Sequence, residues 1–216
     1  VSGTSSTFIR HFERYAKHVI SRFNLKPNSL IVEIGSNDGT LLSFLKGKKH
    51  RVIGVDPAKD IARRASQNGI RTIPSFFNGN ISDQIIKEEG LADLILANNV
   101  YAHVDDLKKL TIAVKKLLNN NGVFIFEVSY LIDVYNKTLF DTIYHEHLSY
   151  HTIKPLVKFF KSLEMELFDV EKINTHGGSI RCYVQKSTGR KKIKISVHET
   201  LEIENKTRIF TPSTFH

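Results

Sequence analysis

Cysteine is almost missing from this sequence: Cys182 is the one thiol in 216 residues, and tryptophan does not occur. A single thiol excludes an internal disulfide framework and a cysteine-built zinc site, and it points to a reducing, cytoplasmic setting. Long apolar runs are missing too. Stretches such as 94–97 and 123–126 are strand-sized, far below the ~20 residues that span a bilayer. No charged-then-apolar leader opens the chain, and it starts at Val1 with its single methionine at Met165, which leads to the expectation of a piece of a longer protein. Acidic residues are outnumbered, 22 against 31 Lys plus Arg, for a formal net charge of +9. That balance admits an anionic partner, either a nucleic acid or a phosphorylated small molecule. The densest basic stretch, Lys186, Arg190, Lys191, Lys192 and Lys194, alternates with Ile193 and Ile195 and reads as the wet face of a strand rather than a nucleic-acid patch.

Apolar material is plentiful, at 41% of residues with 14 Phe and 7 Tyr, enough for one domain with an appendage. From Thr7 to Phe23 the residues Phe8, Phe12, Tyr15, Val19, Ile20 and Phe23 recur at three and four, so an amphipathic helix capped by Ser5 or Ser6 packs one stripe on the core. After Pro27 the pattern switches to short apolar runs at 30–34, 51–55, 71–73, 93–97 and 123–128, alternating with helical stretches at 40–47, 58–68, 81–90 and 105–118. This alternation specifies an α/β, Rossmann-like fold with a mostly parallel sheet and helices on both faces. Gly122 reads as the stop signal of the last of these helices. A short helix at 154–163 and strands at 166–173 and 180–186 follow, which predicts a terminal antiparallel pair.

Two stretches carry chemistry. The first, V-E-I-G-S-N-D-G-T at 32–40, falls where the first strand meets the first helix. Glycines at that point let the backbone approach a ligand while a helix N-terminus offers free N–H groups. Asp56, at the end of the second strand and followed by Pro57, is placed to accept from two ribose hydroxyls, so the pair of features predicts a nucleoside site. The dinucleotide pattern G-x-G-x-x-G is absent, because Asn37 and Thr40 stand at its second and third glycines. Glu33 would repel a phosphate and suits a cationic ligand or a water network under an amino acid. Candidate ligand contacts are therefore Glu33, Gly35, Ser36, Asn37, Gly39, Asp56 and Pro57, with Asn98 and Asn99 at the end of the fourth strand. Phe76 and Phe77 each read either as a ring for an adenine or as core.

The second stretch, F-D-T-I-Y-H-E-H-L-S-Y at 140–150, sits in an irregular insert over 130–151 and crowds two His, a Glu, an Asp and two Tyr into eleven residues. Were it helical, Tyr144 and His147 would share a face and form a proton-transfer pair. H-x-H with a Glu is also metal-ligand chemistry, with His103, His151 and His176 as further donors, but no second compact ligand pair fixes a geometry, and no metal is assigned. A buried His and aromatic network fastening the insert is the remaining reading.

The string E-I-G-S-N-D-G-T-L-L followed by G-V-D-P resembles the first motif and the acidic second-strand end of class I S-adenosylmethionine-dependent methyltransferases. The Asn-Pro-Pro-Tyr motif of many adenine N-methyltransferases is missing after the fourth strand, which disfavours a nucleic acid. F-D-T-I-Y-H-E-H-L-S-Y with T-H-G-G-S-I-R at 175–181 is similar to the signature of the sugar C-methyltransferases that act on nucleotide-linked keto sugars. That resemblance implies S-adenosylmethionine as cofactor, Tyr144 and His147 as catalytic residues with Glu146 orienting them, and a small nucleotide-sugar acceptor met by His103, His145 and Tyr150. It also implies an N-terminal cysteine-rich zinc module, which this sequence lacks, and a further C-terminal domain. The expected organisation is a packing helix over 1–27, a methyltransferase domain over 28–186 and the opening of a C-terminal region over 187–216. Methylation of oxygen or nitrogen on another small molecule, or a non-catalytic binding module of the same fold, are the rival readings. No membrane partner is expected.

Overall fold

The computed structural model describes residues 6–175, 177–207 and 209–211, with side chains from residue 9 onward. Five parallel strands come first: β1 (Leu30–Ile34), β2 (Arg51–Val55), β3 (Thr72–Ile73), β4 (Ala92–Asn98) and β5 (Leu118–Ser129). Two more, β6 (Met165–Ile173) and β7 (Ser179–Lys186), form the terminal antiparallel pair, with β7 inserted between β5 and β6 and antiparallel to both. The order across the sheet is β3-β2-β1-β4-β5-β7-β6. All five residues of β1 are buried, as a central parallel strand covered on both faces requires.

Eight helices complete the described fold: α1 (Ser6–Phe23), α2 (Thr40–Lys46), α3 (Lys59–Gln67), α4 (Gly79–Glu89), α5 (Leu107–Leu117), α6 (Leu131–Asn136), α7 (Ile153–Ser162) and α8 (Ile195–Lys206). Strand alternation sorts their partners. Leu30, Val32 and Ile34 face a core built with α4, α5, α7 and α8, whereas Ile31, Leu94 and Leu96 face Tyr15, Ala16 and Val19 of α1 and Leu41, Leu42 and Leu45 of α2. Charge reinforces the α1 contact: Arg22 pairs with Asp169 and Glu171, and the Arg181 guanidinium lies 3.8 Å from the centre of the Tyr15 ring.

Three local expectations are corrected by the structure. Gly122 does not end α5, because the chain passes from Leu117 directly into β5 and Gly122 lies within that strand. Its role is close packing at an irregular register between β4 and β5: a Cβ there would meet Leu118 Cδ1 at 2.8 Å and the Ala92 carbonyl at 3.0 Å. The alternating basic stretch after Lys186 is no strand; residues 187–194 form a turn and a connection into α8, with Lys191 Nζ donating to the Asn121 carbonyl at 3.0 Å. The 130–151 insert is also more regular than its sequence suggests, since it opens with the short helix α6. The proposed cap at Ser5 or Ser6 lies outside the described side chains.

Residues 195–206, in the segment expected to open a further region, fold back onto this core. Glu204 of α8 is fully buried and accepts from the Ile153 and Lys154 N–H groups at 2.5 and 2.8 Å and from the Tyr130 hydroxyl at 3.1 Å. A carboxylate from one helix thus caps the start of another, satisfying donors that α7 itself cannot. Glu204→Ala is expected to lower unfolding free energy by about 2–3 kcal/mol, while Glu202→Ala on the exposed face stays within about 0.5 kcal/mol, as measured by chemical denaturation.

Candidate active site

In the observed strand order, the chain leaves β1 toward one side of the sheet and β4 toward the other, so their carboxyl ends diverge and open a crevice. A cleft of about 1240 Å³ occupies this place. Its floor is the turn from β1 into α2. Gly35 has φ 70°, and a Cβ there would collide with Val100 Cγ2 at 2.5 Å; Gly39, at φ 75°, packs against Ile70. Asn37 adopts φ 51°, a left-handed geometry that asparagine tolerates better than most side chains, which explains why the turn closes without a glycine at that position. Asp56 then stitches the turn to β2, its Oδ2 accepting from the Asn37 N–H at 2.8 Å and its Oδ1 from the Ala58 N–H at 2.9 Å.

Glu33, Gly35, Ser36, Asn37, Asp56, Pro57, Phe76, Asn98, Asn99 and His103 all line the cleft, whereas Gly39 does not and serves the turn beneath it. The two adjacent phenylalanines both line the cleft but differ in burial: Phe76 is 75% exposed, while Phe77 is 8% exposed and is also part of the core. Several lining residues escaped the sequence reading. Phe12 belongs to the apolar stripe of α1, which marked it as core. Lys109, Ile112 and Lys116 share one face of α5, and the isolated isoleucine between those lysines was the available signal.

The wall formed by β1 and β4 is short of partners. Glu33 is buried, with Oε1 accepting from Asn98 Nδ2 at 3.3 Å; Glu33 Oε2, Asn98 Oδ1 and Ser36 Oγ are buried without any hydrogen-bond partner. Buried unpaired polar atoms cost about 1–3 kcal/mol each, so their concentration on one wall fits a ligand that brings polar groups of its own. Burial pushes the Glu33 carboxyl up to about 8, partly offset by the Asn98 hydrogen bond and helped by the nearby Asp38, Asp56 and Glu127. Two strands away, on β5, burial acts against the Glu127 charge, but His11, with Nε2 3.8 Å from its Oε2, and the Arg181 guanidinium hold its carboxyl below the ordinary range.

The crowded 140–150 stretch lies beside the cleft rather than in its wall; Tyr144, His145, Glu146, His147 and Tyr150 are not among the lining residues. Residues 144–147 form a turn closed by the His147 N–H on the Tyr144 carbonyl at 3.0 Å, which brings the two side chains together. His147 Nδ1–H donates to the Thr142 carbonyl at 2.7 Å. Since a carbonyl only accepts, Nε2 is left as the acceptor of the neutral ring, and the Tyr144 hydroxyl donates to it at 3.1 Å. Tyr150 O–H donates to the same Thr142 carbonyl at 3.0 Å. The Glu146 side chain is exposed and touches neither partner; its backbone carbonyl accepts from His103 Nδ1–H at 2.9 Å. His145 is exposed and holds no hydrogen bond or ion pair among the described residues. His103 connects the two regions, because it lines the cleft while its ring centre lies 4.8 Å from that of His147. The Ala102 carbonyl adds a second tie, accepting from the Leu148 N–H at 2.8 Å.

Among the described residues no group of three or more His, Cys, Asp or Glu is arranged to hold a metal, and no helix is long and apolar enough to cross a membrane. His151 is buried, which pushes its imidazole pKa below the ordinary value, while His176 lies outside the described residues.

The raised Glu33 carboxyl has a definite sign. The folded state binds a proton that the unfolded chain releases near the ordinary value of 4.5, so stability is expected to fall as pH rises from 4.5 to 8, by about 1.4 kcal/mol per pH unit at steepest. Chemical denaturation across that window should show the slope in the wild-type chain and a flatter profile in Glu33→Gln.

Comparison with known proteins agrees with this geometry. The family model for a methyltransferase domain matches residues 8–167. C-methyltransferase NovU of Streptomyces niveus is 33% identical over 204 residues, covering 94% of this chain and 49% of that protein, so the chain spans about half the length of this curated relative. The magnesium protoporphyrin IX methyltransferase ChlM from Synechocystis, solved with bound SAH, superposes with a TM-score of 0.61 at 14% identity, over 82% of this chain and 83% of its own. The plantazolicin methyltransferase BpumL, also in complex with SAH, gives 0.59 at 12% identity, over 81% and 82%. With its sheet order, its cleft beyond β1 and β4 and a sequence match across most of its length, the chain belongs to the methyltransferase domain family.

Proposed function

We propose that this domain methylates a carbon atom of a nucleotide-linked keto-deoxysugar, with His147 as the base that forms an enolate. The observation that carries the reading is the Tyr144–His147 pair, whose imidazole is held in one tautomer by Thr142 and sits against His103 at the edge of the cofactor cleft. Kinship with a protein named as a C-methyltransferase supports the carbon acceptor, and the excess of basic residues suits a diphosphate.

S-adenosylmethionine, when bound, supplies an electrophilic methyl group on a sulfonium. Its adenosine and amino acid parts would be held by the turn around Gly35, Ser36, Asn37 and Gly39, by Asp56 and Pro57 at the ribose, by Phe76 beside the base, and by Glu33, Asn98 and Asn99 at the amino acid end. Glu33, uncharged at neutral pH, can donate as well as accept there.

Base chemistry asks for a lone pair near the carbon α to a carbonyl. Nε2 of His147 provides it, since Nδ1 is committed to Thr142. The proton passes from that carbon to Nε2, the C–H electron pair moves toward the carbonyl oxygen, and the Tyr144 hydroxyl turns to donate to the oxygen as charge builds on it. His103, next to both side chains, orients the acceptor at the cleft edge, and His145, Glu146 and Tyr150 border its approach. Imidazolium formed at His147 is stabilised by the Thr142 carbonyl dipole.

Calorimetric titration of the chain with S-adenosylhomocysteine should show saturable binding, with NAD as a non-binding control. His147→Gln is expected to keep that affinity within twofold while turnover on a keto nucleotide sugar falls by at least about 100-fold, and cofactor-dependent loss of deuterium from the α carbon should fall with it. Full turnover in His147→Gln would refute the base assignment, and methylation without α-deuterium loss would indicate a heteroatom acceptor.

A further inference from the structure

The T-H-G-G-S-I-R stretch contributes no described residue to the cleft, yet its two glycines pack so closely on the insert that carries His147 that neither leaves room for a Cβ. Both have positive φ, 79° at Gly177 and 148° at Gly178. A Cβ on Gly177 would meet Leu139 Cδ1 at 2.7 Å and Cδ2 at 3.0 Å, and one on Gly178 would meet Asp133 Cβ at 2.7 Å. The turn is also clasped to the insert at both ends of α6: the Tyr130 N–H donates to the Gly178 carbonyl at 3.2 Å, and Lys137 Nζ donates to the Gly177 carbonyl at 2.7 Å.

We propose that the Gly177–Gly178 turn is a positioning element for His147, acting through Leu139 and Thr142. From the leucine packed on Gly177 the path is continuous. The Leu139 carbonyl accepts from the Thr142 N–H at 3.3 Å and from Thr142 Oγ1 at 2.8 Å, and the Thr142 carbonyl accepts from His147 Nδ1–H at 2.7 Å. The last bond decides which imidazole nitrogen keeps its hydrogen. The loop needs such outside support because it has little core of its own: Phe140, Ile143 and Leu148 are 75%, 62% and 55% exposed. A glycine pair allows the β6–β7 connection to press directly on the exit of α6, so the location of Leu139, and with it the Thr142 carbonyl, is set by contact with the rigid sheet.

The proposal rests on His147 as the base for its catalytic meaning, but its structural content is read without turnover. Long-range 1H–15N spectra of the histidine side chains, with the His147 signal identified by its loss in His147→Gln, report the ring's tautomer directly. The wild-type chain should show Nδ1 protonated and Nε2 free. Gly177→Ala, which pushes on Leu139, should shift that signal toward a tautomer mixture while S-adenosylhomocysteine affinity stays within twofold, and Gly177→Ala with Leu139→Ala, which keeps the left-handed strain of the alanine but removes its collision with the leucine, should move it back toward the wild-type tautomer. An unchanged His147 signal in a Gly177→Ala chain that still binds S-adenosylhomocysteine overturns the proposal. Should Gly177→Ala fail to fold, Leu139→Ala alone decides: a shifted His147 signal supports the path, and an unshifted one refutes it. Turnover of His147→Gln is scored separately, so failure of the base assignment is distinguishable from failure of the positioning path.

Discussion

The parallel ladder of β1 between β2 and β4 is the constraint on which everything else depends. Parallel strands bury both faces, so each connection must cross the sheet as a helix, and where successive crossovers take opposite sides the strand ends part. That parting lies between Ile34 and Asn98. The two segments leaving it, 35–39 and 99–104, bend through left-handed residues, Gly35, Asn37, Gly39 and Asn99, and line or underlie the cleft. A ligand therefore meets backbone turns held by a rigid sheet rather than by mobile loops.

Buried carboxyls receive two different treatments on the strands that flank β4. Glu127 is kept ionised by Arg181, whose Nε donates to it at 2.6 Å, and the pair anchors β5 to β7 beneath α1. Glu33 has no cation, only Asn98, and burial leaves it neutral. An isolated buried carboxylate is expensive, and retaining one next to unpartnered Asn98 and Ser36 atoms makes sense when a ligand completes the network. The same wall that weakens the free chain is thereby suited to holding a polar cofactor.

The insert after β5 shows how the paired Tyr144 and His147 side chains are set outside the regular fold. Tyr101 stacks on Phe126 with ring centres 4.4 Å apart and hydrogen-bonds Thr111, which fixes the 101–103 turn in the core and leaves His103 at the surface of the cleft. His103 and the Ala102 carbonyl then hold the insert from one side, and the Gly177–Gly178 turn holds it from the other. His147 is thus placed by two contacts that come from elements 44 and 30 residues away, counted from His103 and Gly177.

Periodicity alone determined the elements: the strands, their helices and the terminal antiparallel pair lie within a residue or two of where apolar spacing put them, except that β5 begins five residues earlier, at Leu118, because burial of alternate or i, i+3, i+4 positions is a local code that the polar 119–121 segment does not carry. Residue type at strand ends likewise marked Gly35, Asn37, Asp56, Asn98 and Asn99 for the cleft, since the fold class fixes which end of a parallel sheet binds ligands. What only the tertiary structure decided were contacts between distant segments and backbone atoms. The Thr142 carbonyl that selects the His147 tautomer has no side-chain signature; the exposed Glu146 carboxylate and its engaged carbonyl are indistinguishable in a sequence; and Phe12 reads as one more apolar residue of a helical stripe until the sheet places it over the cleft. Gly122 misled for the same reason, because a glycine demanded by a neighbouring strand's carbonyl looks like a helix stop when the neighbour is not in view.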